Sequence, residues 1–301
     1  MHIPVLLNEV IEYLDPKPNE NFVDCTIGQG GHTKLILDKI SPNGKVLGID
    51  LDKKQIDNCK HLKDNFKERL ILVSGNYANI ENILQEANFS SVDGILADVG
   101  FSSFQLEEGN KGFSFLKNEN LDMRYNTEIQ NELTAKVIVN EWTEENLKRI
   151  LEEYGEEKFA KQIAKKIIEE RSLRLRSGRE KIETTFDLVE IIKKAIPLKF
   201  QHDRIHYATR TFQALRIVVN GELENLRKLL SQAVSVLNKD GRLVIISFHS
   251  LEDRIVKSYF NEEFKNNNIK ILTKKPITAQ DQEIMDNPRA RSAKLRAIIK
   301  I

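Results

Sequence analysis

The chain has 301 residues, 40% of them hydrophobic, enough to bury a full core in one large domain or two smaller ones. No apolar run approaches the roughly 18 residues of a membrane span, and MHIPVLLNEV lacks the basic, apolar and cleavage regions of a secretory leader, so a cytoplasmic protein without membrane contact is expected. Lys plus Arg total 46 against 45 acids, so net charge does not argue for a nucleic-acid partner, and two cysteines without ligand spacing exclude a disulfide framework or a zinc centre.

Val5 to Leu14 carries apolar groups at helical spacing, and Pro16 and Pro18 close that helix. Phe22 to Thr33, FVDCTIGQGGHT, then reads as strand, glycine loop and helix start. Gly28, Gly30 and Gly31 remove side chains where the backbone turns sharply, and they let a ligand approach the N–H groups gathered at the helix N-terminus. The helix runs on through Leu35, Ile36, Leu37 and Ile40 until SPNG breaks it. KVLGID makes a second strand ending at Asp50, about 20 residues beyond the loop, where a carboxylate accepts both hydroxyls of a ribose. Gln55 to Phe66 supplies the next helix, RLILVSGNY a third strand ending near Tyr77, and VDGILADVG a fourth ending at Asp98. Such alternation predicts a parallel sheet with right-handed crossovers, whose strand carboxyl ends share one ligand-binding edge.

Four strand ends therefore address one nucleoside-like ligand. A dinucleotide fold wants a small residue three positions after Gly30, and this chain has Thr33 there, which disfavours NAD. S-adenosylmethionine has a ribose and an adenine but no phosphate, so a looser loop with an acidic second strand suits it better. On these residues alone both cofactors stay open. His32 has two readings as well: a helix cap, or a backbone N–H facing a cofactor carboxylate.

Beyond Asp98 the alternation stops until RLVIISF, Arg242 to Phe248, which leaves far more chain than a crossover needs. The excess reads as an inserted helical domain over residues 109–207. Thr143 caps EENLKRILEEY, Phe159 to Ile168 is amphipathic, and Thr184 with Asp187 forms a capping-box pattern before LVEIIKKAI, stopped by Pro197. A single long helix is expected over Thr209 to Leu237, ended by NKDG. After the fifth strand come Ser247, His249, Ser250, Glu252 and Asp253, but no glycine-framed nucleophile elbow surrounds either serine. IKILTKKP and KLRAIIKI close the chain as a hairpin-like pair on the sheet edge. Two stretches concentrate positive charge: Lys161, Lys165, Lys166, Arg171, Arg174, Arg176 and Arg179, and the acid-free run Arg289 to Lys300. Such clusters track a phosphate backbone or serve as solvated faces.

VLLNEVIEYL, GQGGHT, DGILADVGFSSFQL, KGFSFLKNENLDMRY, YATRTFQALRIVVNGEL, SFHSLEDRIVK and NPRARSAKLRA together resemble, in order and over nearly the whole chain, the RsmH (MraW) family of bacterial ribosomal-RNA methyltransferases. The resemblance implies an α/β, Rossmann-like, seven-stranded S-adenosylmethionine-dependent methyltransferase sheet, built from 1–108 and 208–301, with the helical insertion recognising substrate. It implies methyl transfer to the 4-amino group of a cytidine in the decoding region of 16S ribosomal RNA, within a small ribosomal subunit or its precursor. It also places the cofactor at Gly30, Gly31, His32, Asp50, Tyr77, Asp98 and Gln105, with no metal; a homodimer stays open. The fourth strand is followed by Val99, Gly100, Phe101 and Ser102, not by the two prolines and aromatic of many amino-methyltransferases. Phe101 and Phe104 also stand where the family has a smaller aliphatic and a proline. Asp98, the Ser102 and Ser103 hydroxyls and the backbone carbonyls near Val99 and Gly100 are the candidates for orienting the acceptor amine, with Phe101 or Phe104 either stacking on its base or packing in the core. Two rivals remain at this point, an NAD-dependent oxidoreductase and a non-catalytic RNA-binding assembly factor.

Overall fold

Alternating apolar residues build a sheet that is buried on both faces. The strands are β1 (Phe22–Asp24), β2 (Val46–Asp50), β3 (Leu70–Ser74), β4 (Val92–Asp98), β5 (Leu237–Ser247), β6 (Ile269–Ile271) and β7 (Lys294–Lys300). Along β4 and β5 the side chains of Ile95, Ala97, Leu243 and Ile245 enter one core, while Leu96, Val244 and Ile246 enter the other. The first core is closed by α5 (Ile80–Glu86), α11 (Glu222–Val236) and α12 (Ser250–Lys265); the second by α1 (Leu7–Leu14), α2 (Gly31–Lys39), α3 (Lys53–Asn58) and α4 (Leu62–Phe66). This computed structural model describes residues 3–100, 110–127, 132–178, 181–202 and 205–301. No helix among the described residues is long and apolar enough to cross a membrane.

The strand order is β3-β2-β1-β4-β5-β7-β6, parallel through β5, with β7 antiparallel to both of its neighbours. The expected terminal pair is present, since β6 and β7 are antiparallel neighbours at the sheet edge. β7 inserts between β5 and β6, because Leu295, Ala297 and Ile298 need burial on both faces, and the short β6 is left at the edge. The connection between them carries α13 (Asp281–Asp286) and a 3-10 turn over Pro288–Ser292. β5 also starts earlier than expected: NKDG lies inside it, where Asp240 takes φ 65 and the register with β4 slips between Val92 and Gly94.

The chain divides into two compact units, Met1–Gly100 with Leu223–Ile301, and Phe101–Glu222. The division falls at different points from the 108/109 and 207/208 boundaries read from the sequence. At the second boundary stands Gly221, whose φ of 60 ends α10 (Thr209–Asn220) before α11 begins, so the single helix expected over Thr209 to Leu237 is two. The other helices of the inserted unit are α6 (Ala135–Glu141), α7 (Glu144–Glu153), α8 (Ala160–Arg176) and α9 (Thr185–Ala195). They share one core around Ile138, Leu147, Ile163, Leu188 and Leu215. Thr143 Oγ1 accepts the Asn146 N–H at the start of α7. At α9, Thr184 Oγ1 accepts the Asp187 N–H and Asp187 accepts the Thr184 N–H, a complete capping box.

Much of the first basic stretch is spent inside this unit. Arg174 holds Asp187 Oδ1 at 2.7 Å and the Lys181 carbonyl at 3.1 Å, and Arg171 donates to the Trp142 carbonyl at 2.6 Å. Lys165 and Lys166 face Glu169. Lys161 and Arg176 remain exposed, and Arg179 lies outside the described residues. Thr184→Ala should lower the stability of the inserted unit by about 1 kcal/mol, read as an earlier thermal transition. An unchanged transition would show that the capping box does not support α9.

Candidate functional site

The chain runs outward from β1 through β2 to β3, then crosses back to β4 on the other side of β1. That reversal opens a crevice at the carboxyl ends of β1 and β4, the place where open α/β sheets bind ligands. Asp24 ends β1 there and is 2% exposed. Its Oδ1 accepts the Thr26 N–H at 3.1 Å and its Oδ2 the Thr33 hydroxyl at 2.7 Å, so it joins the strand, the glycine loop and α2. Thr26 Oγ1 in turn accepts the Asp98 N–H at 2.7 Å, which ties the loop to β4.

Gly28 and Gly30 take φ 51 and 76. Gly30 is the N-cap of α2 and no side chain caps the helix, so its first-turn N–H groups face the crevice unclaimed by the helix itself. A Cβ on Gly30 would meet Leu62 Cδ1 at 2.5 Å. Glycine is thus required there for backbone conformation and for packing against α4.

Asp50 ends β2 and accepts the Gly28 N–H at Oδ2 (3.1 Å) and the Asp52 N–H at Oδ1 (2.9 Å). Each oxygen keeps a lone pair for a further donor. Burial pushes its carboxyl up to about 7 despite those two bonds. Asp98, at the end of β4, goes up to about 8, by burial first and then by the negative charges of Asp24 and Glu252. Its Oδ1 is shut off from solvent and has no hydrogen-bond partner among the described residues. Asp24 is raised to about 6 by burial, against its bonds to Thr33 and Thr26.

Of the other expected positions, the His32 ring is buried and its Nε2 lies 2.9 Å from the Val5 carbonyl, with burial lowering its pKa to about 4. A neutral imidazole donating to that carbonyl is a structural tie, which leaves the backbone N–H as the part of His32 available to a ligand. Tyr77 opens a 3-10 turn just past the β3 carboxyl end, set by the Asn76 side chain accepting the Ala78 N–H at 2.9 Å. Phe101, Ser102, Ser103, Phe104 and Gln105 lie outside the described residues. Asp24 was missed in the sequence, although the acid of FVDCT stands at a strand end directly before the glycine loop, and Glu252 was noted there without a role. Past β5, Ser247 Oγ donates to the Lys294 carbonyl, and His249 caps α12 with Glu252 returning to its backbone N–H. Ser247 and His249 thus have separate structural partners, in keeping with the absence of a nucleophile elbow.

The MraW methylase family profile matches residues 1–301. The chain belongs to the MraW methylase family. It is 50% identical over 316 aligned positions to a protein of Clostridium botulinum (strain Kyoto / Type A2) named "Ribosomal RNA small subunit methyltransferase H", covering all of this chain and 99% of that one. Proteins of the same name from Thermotoga neapolitana and Sulfurihydrogenibium azorense are 45% and 44% identical, each alignment covering 98% of this chain and 95% and 97% of theirs. As a member of that family the chain is an S-adenosylmethionine-dependent methyltransferase, and the NAD-dependent oxidoreductase reading falls. The crevice suits such a cofactor: Asp50 offers acceptors to a diol, the uncapped N-terminus of α2 offers donors to a carboxylate, and Asp98 Oδ1 has no partner among the described residues.

Asp24, Asp50 and Asp98 hold their protons more tightly when folded than the roughly 3.9 of an unfolded aspartate. Their contribution is therefore full below about pH 4 and is lost as pH rises through their folded values, because the unfolded chain then binds fewer protons. The ligand-free protein should melt at progressively lower temperature from pH 5 to pH 9. Asp98→Asn should flatten the upper part of that fall, and an unchanged profile would show that Asp98 is ionised throughout.

Proposed function

We propose that this S-adenosylmethionine-dependent ribosomal-RNA methyltransferase methylates the exocyclic 4-amino group of a cytidine in the decoding region of 16S ribosomal RNA, by direct in-line transfer. The observation that carries the choice of atom is the state of the thiols. Methylation at cytosine carbon five requires attack by a thiolate. The chain has only Cys25 and Cys59, both buried. Burial raises the Cys25 thiol well above its ordinary value, with Asp24 adding to the shift, and pushes Cys59, whose Sγ donates to the Gly28 carbonyl at 3.1 Å, up to about 12. Neither offers a nucleophile, whereas an amine attacks with its own lone pair.

When bound, S-adenosylmethionine supplies an electrophilic methyl on a sulfonium. The chain's part is positioning. In this reading Gly30, Gly31 and His32 present backbone N–H groups to the cofactor's carboxylate, Asp50 holds the ribose hydroxyls, and Tyr77, Asp98 and Gln105 enclose the rest. Ser102, Ser103 or Asp98 accepts a hydrogen bond from the attacking amine, and Phe101 or Phe104 stacks on the unstacked base. The inserted helical unit grips RNA, with Lys161 and Arg176 among the exposed cations available to phosphates. The substrate is the small ribosomal subunit or its precursor, and the work is cytoplasmic.

Mass mapping of methylated cytidines in 16S ribosomal RNA, with and without this protein, should show one 4-amino methylation that depends on it. A methyl on carbon five, or none, would sink the proposal. The Cys25→Ser, Cys59→Ser double variant should retain most turnover and form no covalent adduct with a trapped cytosine analogue. Asp50→Ala should weaken cofactor binding at least tenfold in calorimetry, since a charge-assisted bond contributes roughly 1.5–3 kcal/mol. Full affinity in a folded variant would remove Asp50 from the cofactor site.

A further inference from the structure

Two side chains near the C-terminal end of the sheet unit reach the glycine loop through residues 3–6. That stretch runs beside the first turn of α2. Pro4 packs so closely on Gly31 that a Cβ there would meet its Cγ at 2.3 Å, and the Val5 carbonyl lies 2.9 Å from the His32 ring. From α13, Glu283 Oε1 accepts the Leu6 N–H at 2.7 Å, and just beyond it Asn287 Nδ2 donates to the Ile3 carbonyl at 3.1 Å. Glu283 and Asn287 thus hold both ends of a four-residue strap. Their own segment is anchored, since Ala290 is buried in the same core as Val5, Leu6 and Ile36.

The strap is strained where it enters α1. Leu6 takes φ 52 and ψ 38, a left-handed conformation that brings the Cβ of an L-residue too close to a carbonyl oxygen. A bulky residue keeps it only where the surroundings over-determine it. Here the Leu6 side chain is fully buried, its carbonyl accepts the Val10 N–H, and its own N–H is held by Glu283. Without Glu283 that N–H loses its acceptor, and Leu6 can relax toward an extended backbone. Such a change draws Val5 and Pro4 away from His32 and Gly31.

We propose that Glu283 is a positioning residue for the cofactor: through Leu6 and the strap it sets the backbone N–H groups of Gly31 and His32 against the carboxylate of S-adenosylmethionine. This rests on the reading above in which the uncapped turn of α2 receives that carboxylate. Asp24 holds the turn through Thr33, and the strap holds it a second time through Gly31 and His32. Hydrogen bonds weaken steeply with misalignment, so a turn free to shift gives up affinity for the carboxylate alone. Contacts to ribose and adenine stay as they were.

The test is calorimetry on the full chain with S-adenosylmethionine and with its decarboxylated form, which lacks only the carboxylate. Glu283→Ala should weaken S-adenosylmethionine binding roughly tenfold and leave the decarboxylated ligand within about twofold of its parent value. Glu283→Gln should restore the parent affinity, because an amide oxygen accepts the same N–H. Asn287→Ala should weaken S-adenosylmethionine alone by about threefold, and it decides the matter if Glu283→Ala does not fold. Asp281→Ala, at an exposed acid of the same short helix, should leave both affinities unchanged. Equal losses for the two ligands in a folded variant, or unchanged binding in both Glu283→Ala and Asn287→Ala, overturn the positioning role. A loss in Glu283→Gln or Asp281→Ala as large as that in Glu283→Ala overturns it too. Equal binding of the two ligands by the parent protein shows instead that the carboxylate reading fails, and the positioning role falls with it. Failure of the methylation reading shows separately, as unmethylated 16S ribosomal RNA.

Discussion

Asp24 is the point on which the rest of the site depends. Its two carboxylate oxygens take one donor from the glycine loop and one from α2, and through Thr26 the same loop is hung on β4. A carboxylate buried this deeply is costly unless its hydrogen bonds are satisfied. Because they are, the loop cannot shift without stranding a polar group in the core. The position of the α2 N-terminus relative to Asp50 and Asp98 follows from that single constraint.

The constraint also sets the crevice's electrical character. Asp24, Asp50, Asp98 and Glu252 converge on neighbouring strand ends, and mutual repulsion adds to burial in raising the Asp98 carboxyl. Such a crevice offers carboxyl acceptors and, among the described residues, no cation, which suits a ligand's hydroxyl and amino groups better than a pyrophosphate. This is a stronger physical argument against a dinucleotide than Thr33, whose role in the structure is to hold Asp24.

The cations divide by a different logic. In the inserted unit, Arg174 completes the capping box at α9 and Arg171 ties α8 to the Trp142 carbonyl, so they support the fold. At the sheet edge, Lys294 pairs with Asp253, and alternation with Ala290 and Ala293 turns Arg289 and Arg291 outward. Both stretches look alike in sequence, because charge density along a chain carries no information about which carboxylates and carbonyls will stand across from it.

Sequence alone determined the strands, the caps and the ligand edge, because those follow from local rules: alternation of apolar residues, Thr143 and Thr184 at helix starts, and Asp50 and Asp98 at strand ends. Where the rules conflict locally, the tertiary structure decided. Gly221 inside an apolar helical pattern became a helix break, and NKDG became a bulge within β5. The placement of β7 between β5 and β6 depends on which edge can bury Leu295 and Ala297 on both faces, a long-range packing choice. Asp24 appears in sequence as one acid at a strand end. Only the folded chain brings Thr26 and Thr33 to its two oxygens, since hydrogen-bond partners are set by where backbones meet in space.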